Sequence, residues 1–177
     1  LDHLAPFVGR DLSFNDLQQV TVAVTSFYAS RGLVARAVLP PQEMENGVLL
    51  VRVIEGKVGS VDIDNQGDRL LTRGVEGFIG KRLAPGEAMN LSRLGEALNI
   101  LNDQPGVTVS SSLRSGQNEG EVDVIVTGRD KSLTLVNASL TNQGSRATGE
   151  AQAVASIALQ NPTGRFDSAS LLATETK

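Results

Sequence analysis

Residues 39–56 read LPPQEMENGVLLVRVIEG. The stretch closes one apolar run at Pro40-Pro41, opens another after Gly47, and stops that one at Glu55-Gly56. Proline has no N–H to give to a ladder, so it ends a strand instead of extending it. Residues 33–39 and 48–54 are the β-prone runs on either side, and residues 42–47 are the loop. Together they predict an antiparallel hairpin whose loop is too long for a tight turn.

Upstream, Ser13 and Asp16 have the spacing of a capping box. Leu17, Val20, Val24 and Phe27 then recur at helical spacing as one apolar stripe. Gly32 is placed to end that helix, because a left-handed residue costs glycine little. Downstream, only Glu55 and Gly56 separate the hairpin from the next strand, residues 57–63. Residues 69–79 read as a helix with Leu70, Leu71, Val75 and Phe78 apolar. Asn90 caps another, carrying Leu91, Leu94, Leu98 and Leu101, which Pro105-Gly106 ends. Residues 107–113 and 122–127 form a second hairpin around RSGQNEGE (114–121).

The second unit is therefore β-α-α-β-β. The first shows the same helix and hairpin after a helix remnant near Asp2 and Leu4, without an opening strand. This is repetition of architecture at a spacing of roughly seventy residues, the scale of small tandem domains. A two-residue connection is too short for a flexible tether. The units are expected to move as a nearly rigid pair, with Gly56 as the one hinge candidate.

From Lys131 the texture changes. Ala151, Ala153, Ala155, Ile157 and Leu159 alternate with Gln152, Val154, Ser156, Ala158 and Gln160, a period of two. Polar turns, NQGSRATG (142–149) and NPTGRFD (161–167), flank this segment, and SASLLATE (168–175) begins another. Outer-membrane barrel strands have this pattern, and a soluble meander shares it. The chain starts mid-pattern and ends on LLATETK, so it reads as a piece of something longer. It has no apolar run of membrane-helix length.

Apolar residues make up 40% of the chain, enough for a core, but aromatics only 3%, so Val, Leu, Ile and Ala must fill it. A net charge of −4, with Arg31, Arg36, Arg52 and Arg69 dispersed among acids, argues against nucleic acid. Without cysteine there is no disulfide, thiolate metal site or thiol nucleophile. DIDNQGD (62–68) matches a calcium loop at Asp62, Asp64 and Gly67. Gln66, however, is a poor third ligand, and Arg73 stands where the bidentate Glu belongs. The segment reads instead as a strand-to-helix turn with Asp68 as the helix cap. Glu119, Glu121 and Asp123 share one strand face; paired carboxylates can hydrolyse, but this spacing reads as a solvated hairpin. His3 is the only histidine, and no glycines have phosphate-cradling spacing. No catalytic residue, metal, nucleotide or other cofactor is expected.

FYASRGLVARAVLPPQEMENGVLLVRVIEGKVGSVDI (27–63) resembles the first polypeptide-transport-associated (POTRA) domain of the two-partner-secretion outer-membrane transporters (TpsB), the haemolysin and filamentous-haemagglutinin transporter family. The shared features are a Tyr ahead of the helix-ending Gly, the Leu-Pro-x-Gln hairpin, and the Ile-Glu-Gly close. ALNILNDQPGVTVSSSLRSGQNEGEVDVIV (97–126) resembles the second POTRA domain. NASLTNQGSRATGEAQ (137–152) and LQNPTGRFDSASL (159–171) resemble the first hairpin and turns of the attached barrel.

The resemblance implies an α+β chain of two tandem POTRA domains, each a β-α-α-β-β unit with a three-stranded mixed sheet and two helices. Residues 1–56 would be the first, lacking its opening strand, and 57–130 the second. Residues 131–177 would be the first strands of a truncated transmembrane β-barrel. It implies a site in the outer membrane with the POTRA domains in the periplasm, and capture of an unfolded TpsA-type β-helical protein through its N-terminal secretion domain, without nucleotide hydrolysis. It also implies strand order 1-3-2, which leaves the first hairpin strand of each unit at an edge. An edge is an aggregation hazard, and equally a template for an extended client. The contact residues so implied are Leu33, Ala35, Ala37, Val38 and Leu39 on the first edge, Phe27 and Tyr28 beside it, and Val107, Val109 and Ser111 on the second. A POTRA pair of a barrel-insertion factor and a carboxylate hydrolase are the alternative functions. Residues 131–177, as unclosed strands, are expected to be disordered or to pair with another copy.

Overall fold

Ser13 and Asp16 do form their capping box: the Asp16 N–H donates to Ser13 Oγ at 3.2 Å, and the Ser13 N–H donates to Asp16 Oδ2 at 2.8 Å. From it runs α1, Phe14–Ala29. Bonds from Ser13, and then from the Arg10 guanidinium at 2.8 Å, lower the Asp16 carboxyl to about 2. A depressed carboxyl contributes above its unfolded value and stops contributing as pH falls through its folded one, so this cap holds down to about pH 2. Ser13→Ala should lower stability by about 1 kcal/mol, read as a lower urea midpoint.

A computed structural model describes residues 2–42, 47–142, 144 and 151–177 of the protein. The loop residues Glu43, Met44, Glu45 and Asn46, most of the 142–149 turn with its Arg146, and the His3 side chain lie outside the described residues. A 3-10 turn, Asp2–Phe7, precedes α1. Then come β1 (Ala35–Val38), β2 (Arg52–Glu55), β3 (Lys57–Asn65), α2 (Thr72–Gly80), α3 (Leu91–Asn102), β4 (Val107–Ser115) and β5 (Glu121–Asp130). Strands β6 (Thr134–Thr141), β7 (Gln152–Gln160) and β8 (Ser168–Thr176) follow. The sheets are β1-β2, β3-β5-β4 and β6-β7-β8. The fold class is thus α+β as expected, and the middle sheet has the 1-3-2 order. Two compact units result: residues 1–62, 78–97 and 111–125, and residues 63–77, 98–110 and 126–177. The division passes through α2, α3, β3, β4 and β5, each of which contributes to both.

In the first unit β1 and β2 pair antiparallel, Ala35 with Glu55 through Val38 with Arg52. The second strand is shorter than the apolar run predicts, because the Gln42 amide donates to the Leu50 carbonyl at 2.7 Å and accepts the Leu50 N–H at 2.8 Å. Gly56, the hinge candidate, has both backbone groups engaged: its N–H donates to Val34 O and its carbonyl accepts the Met89 N–H, each at 2.7 Å. A Cβ there would press on the Val34 side chain at 2.9 Å, so only glycine allows the approach. The α2–α3 connection continues this ladder, with Val58 N–H to Glu87 O at 2.8 Å and Leu91 N–H to Gly32 O at 2.7 Å. Val20, Val58, Ile79, Met89, Ala97 and Val124 form the buried core. Asn90 caps α3 as predicted, its Oδ1 accepting the Arg93 N–H at 3.0 Å.

In the second unit Leu70, Val75, Leu101, Val107, Val109 and Val126 are buried. Asp68 does not cap α2, contrary to the sequence expectation. The Asp130 carboxylate takes the N–H groups of Asp68 and Arg69 at 2.9 Å and of Leu70 at 3.1 Å. That holds residues 68–70 in a turn, so the helix begins only at Thr72. The last three strands form a complete antiparallel meander here, where disorder or pairing with another copy was expected. Successive hairpins satisfy each other's inner ladders without closure. The register places Val136 opposite Ile157 and Ile157 opposite Leu171. Ala138, Ala155 and Ala173 line up on that same face, while Ser156 and Asn137 share the other. The apolar face is open to its surroundings, with Leu140 86% exposed and Leu171 69%.

Candidate partner-binding rims

The first rim is β1, in the first unit. One of its donors, the Ala37 N–H, is already occupied by Thr25 Oγ1 of α1 at 3.2 Å, and just ahead of the strand the Val34 N–H is taken by Met89 O at 3.1 Å. Ala37 is buried, while Leu33, Ala35, Val38 and Leu39 are half-buried. Leu33 bridges to Asn90 and donates its N–H to Tyr28 O. Phe27 and Tyr28 stand edge-to-face, ring centroids 5.8 Å apart, and the Arg31 guanidinium lies over the Phe27 ring at 3.6 Å. The Phe27 face is therefore covered by the chain's own cation.

The second rim is β4, terminal in the middle sheet. In a β-strand, successive residues direct their backbone groups alternately toward each neighbour. Gly116, just past β4, donates its N–H to Glu121 O across the hairpin, which assigns the even-numbered residues to β5 and the odd-numbered ones to the outside. Val109 conforms: its N–H donates to Asn102 Oδ1 at 2.8 Å and its carbonyl accepts from Asn102 Nδ2 at 2.9 Å. The Val107 and Val109 side chains are core, so the rim offers only backbone at those two positions. Ser111, half-buried, and Leu113 and Ser115, exposed, have the same outward parity.

Two of the three carboxylates near the hairpin, Asp123 and Glu121, fix structure. Asp123 is not solvated, as the sequence suggested, but 8% exposed. Glycine at position 59 makes the room, since a Cβ there would overlap Asp123 Oδ1. The Ser60 N–H, donating at 2.9 Å, is the chief cause of a lowered Asp123 pKa; burial opposes it and Arg114 reinforces it. Arg114 forks between Asp123 Oδ2 at 3.2 Å and Asp62 Oδ2 at 2.9 Å. Glu121 accepts the Asn118 N–H and side-chain amide at 3.1 and 2.8 Å, closing the turn. Glu119 meets Arg52 at 3.5 Å on the open surface, a pairing worth little. A cleft of about 340 Å³ lies between this turn and β1, lined by Val34, Ala35, Arg36, Ile54, Glu119 and Val122 among others.

Sequence reasoning missed two amides, Gln42 and Asn102, that occupy both backbone groups of Leu50 and of Val109. A signal existed, since each sits beside a proline turn just ahead of a β-prone run.

Residues 1–56 match the family profile described as POTRA domain, ShlB-type. This stretch is similar to a ShlB-type POTRA domain. Beyond it, likeness extends over nearly the whole chain. The heme/hemopexin transporter protein HuxB of Haemophilus influenzae (strain 86-028NP) is 29% identical over 93% of this chain. The outer membrane transporter CdiB of Dickeya dadantii is 29% identical over 92%. The solved structure of CdiB from Escherichia coli superposes with a TM-score of 0.76 at 25% identity, covering 99% of this chain and 32% of that one. The chain is thus similar to these transporters over most of its length, and to a POTRA domain over its first third. It spans 29% and 28% of the length of the two curated relatives.

Proposed function

We propose that this chain is the cargo-recognition part of a two-partner-secretion transporter. Residues 1–56 and 57–130 are its two POTRA domains in the periplasm, and residues 131–177 the first strands of its outer-membrane barrel, the apolar face of the meander turned to lipid. It captures an unfolded, secreted TpsA-type partner by β-augmentation and hands it to the pore. The observation that carries this reading is the second rim, where Ser111, Leu113 and Ser115 direct backbone groups away from the sheet on a terminal strand. About six backbone bonds at about 1 kcal/mol net each, less the cost of ordering the client, give a weak and short-lived grip. A passenger that must be released to a pore requires that. On the first rim, where Val34 and Ala37 have partners, Ala35, Val38 and Leu39 with Tyr28 form a flanking surface. The barrel-insertion alternative is not favoured, since the relatives above are named as transporters.

The test is Leu113→Pro. Proline at an outward-facing edge position removes one donor from the rim and none from the ladder with β5. Capture of the N-terminal domain of the secreted protein encoded beside this one should fall by roughly tenfold or more, with the circular-dichroism spectrum unchanged. Undiminished capture by the folded variant would refute the reading.

A further inference from the structure

The Asn102 side chain does at Val109 what a neighbouring strand would do. One residue of an antiparallel partner offers an N–H and a C=O to the residue it faces in a hydrogen-bonded pair. A carboxamide offers the same two groups, and Asn102 delivers both, at 2.8 and 2.9 Å, to one residue. The same device recurs among the described residues, for the Gln42 amide takes both backbone groups of Leu50. There the ladder is interrupted: β2 begins only at Arg52.

We infer that Asn102 is a register stop, a positioning residue that closes the β4 rim at Val109 so that a client strand pairs only beyond it. This rests on the capture reading above and specifies where on the strand capture begins. An incoming strand that slid by two residues toward the start of β4 would have to displace both amide bonds, and a slip of one residue would turn every client side chain to the other face. The occupant is an extended, backbone-pairing segment, since what lies beyond the stop on the rim is backbone flanked by Ser111, Leu113 and Ser115, with no charged side chain among them. A merely structural Asn102, pinning the turn between α3 and β4, would affect stability but not the place of pairing.

The chain contains no cysteine, so single cysteines can be scanned on a silent background. Thr108, Ser110 and Ser112 have exposed side chains on one face of β4. Directly opposed residues on paired strands have their Cβ atoms close enough for a disulfide. The probe is a short capped peptide of alternating threonine and valine with one terminal cysteine, mixed with the full chain and compared with a proline-containing control peptide. With Asn102 present, disulfide yield is expected at Ser112→Cys and near background at Thr108→Cys. In Asn102→Ala the Thr108→Cys yield should rise about fivefold or more, as the two freed groups become available. Where the alanine variant loses helical signal, Asn102→Asp serves instead. It keeps an acceptor for the Val109 N–H and drops only the donor, so the rise is smaller and in the same direction. Equal yields at Thr108 and Ser112 with Asn102 in place, or a pattern unchanged in the folded variant, overturn the register stop and leave the rim standing. No yield above control at any of the three positions overturns capture at β4 itself.

Discussion

Asp130→Ala is expected to cost the second unit about 3 kcal/mol, because one small carboxylate satisfies a whole turn. Its Oδ2 accepts from Asp68 N and Arg69 N, and its Oδ1 from Leu70 N. Those three successive donors form a nest, a backbone concavity suited to an anion. The Arg69 guanidinium adds an ion pair at 3.5 Å, with both side chains mostly buried, and reaches on to the Gln160 carbonyl. Deleting the carboxylate leaves three N–H groups without their acceptor and the Arg69 cation without its counter-charge, where an unmade bond costs more than a made one contributes. Burial pulls the Asp130 pKa up, but the N–H donations of Arg69 and Asp68 and the Arg69 charge outweigh it, so the net shift is downward. The sign for stability follows: the contribution is complete above the ordinary value of 3.8 and disappears as pH falls through the lower folded value. Asp130→Asn should therefore flatten the acid limb of a urea-midpoint-against-pH curve, while Asp130→Ala lowers the whole curve at neutral pH. An unchanged acid limb in the asparagine variant would count against this assignment.

The elements were legible because their signals are local. Ser13 with Asp16, Asn90 before Leu91, and Pro40-Pro41 between two apolar runs each dictate a start or a stop through backbone groups within a few residues. Strand order was legible only through resemblance, since nothing in residues 107–130 says which hairpin strand lies in the middle. The burial of Asp123 was not legible at all. It depends on the missing Cβ of Gly59, more than sixty residues away in sequence, and on an Arg114 fork that period-two reading cannot anticipate. The same holds for the candidate site. Periodicity marked residues 107–113 as a strand, but Val107 and Val109 spend their side chains on the core, and Asn102 spends its amide on the rim. A pattern of apolar faces records where side chains point. It does not record which backbone groups a side chain will fold back to occupy, and a binding rim is made of backbone groups.

Gly164→Ala should be among the most damaging glycine-to-alanine changes at the described residues, and Gly9→Ala shows why. Both glycines have φ of +78°, so an alanine at either carries the same left-handed penalty of about 1 kcal/mol. They differ in what a Cβ would meet. Around Gly9 there is nothing within 4 Å, whereas at Gly164 the Cβ would overlap the Arg69 carbonyl oxygen and press on Leu71 Cγ at 3.0 Å. Backbone cannot rotate aside as a side chain does, so the whole 161–167 turn has to lift. That turn is tightly specified. The Asn161 N–H donates to Asp167 O at 2.7 Å, and its Oδ1 accepts the Phe166 N–H at 2.8 Å. Asn161 is fully buried, and a Cβ on Gly74 would touch the Phe166 ring at 3.2 Å. Lifting it gives up these contacts and the Arg69 bond to Gln160 O together, for a loss of roughly 3 kcal/mol or more. Paired urea titrations of Gly9→Ala and Gly164→Ala remove the shared backbone term by subtraction. The remaining difference is expected to be about 2 kcal/mol or larger, and amide exchange should rise along residues 161–167 in the second variant alone. Equal losses in the two variants would mean that the turn is not seated on Arg69 and Leu71 in solution.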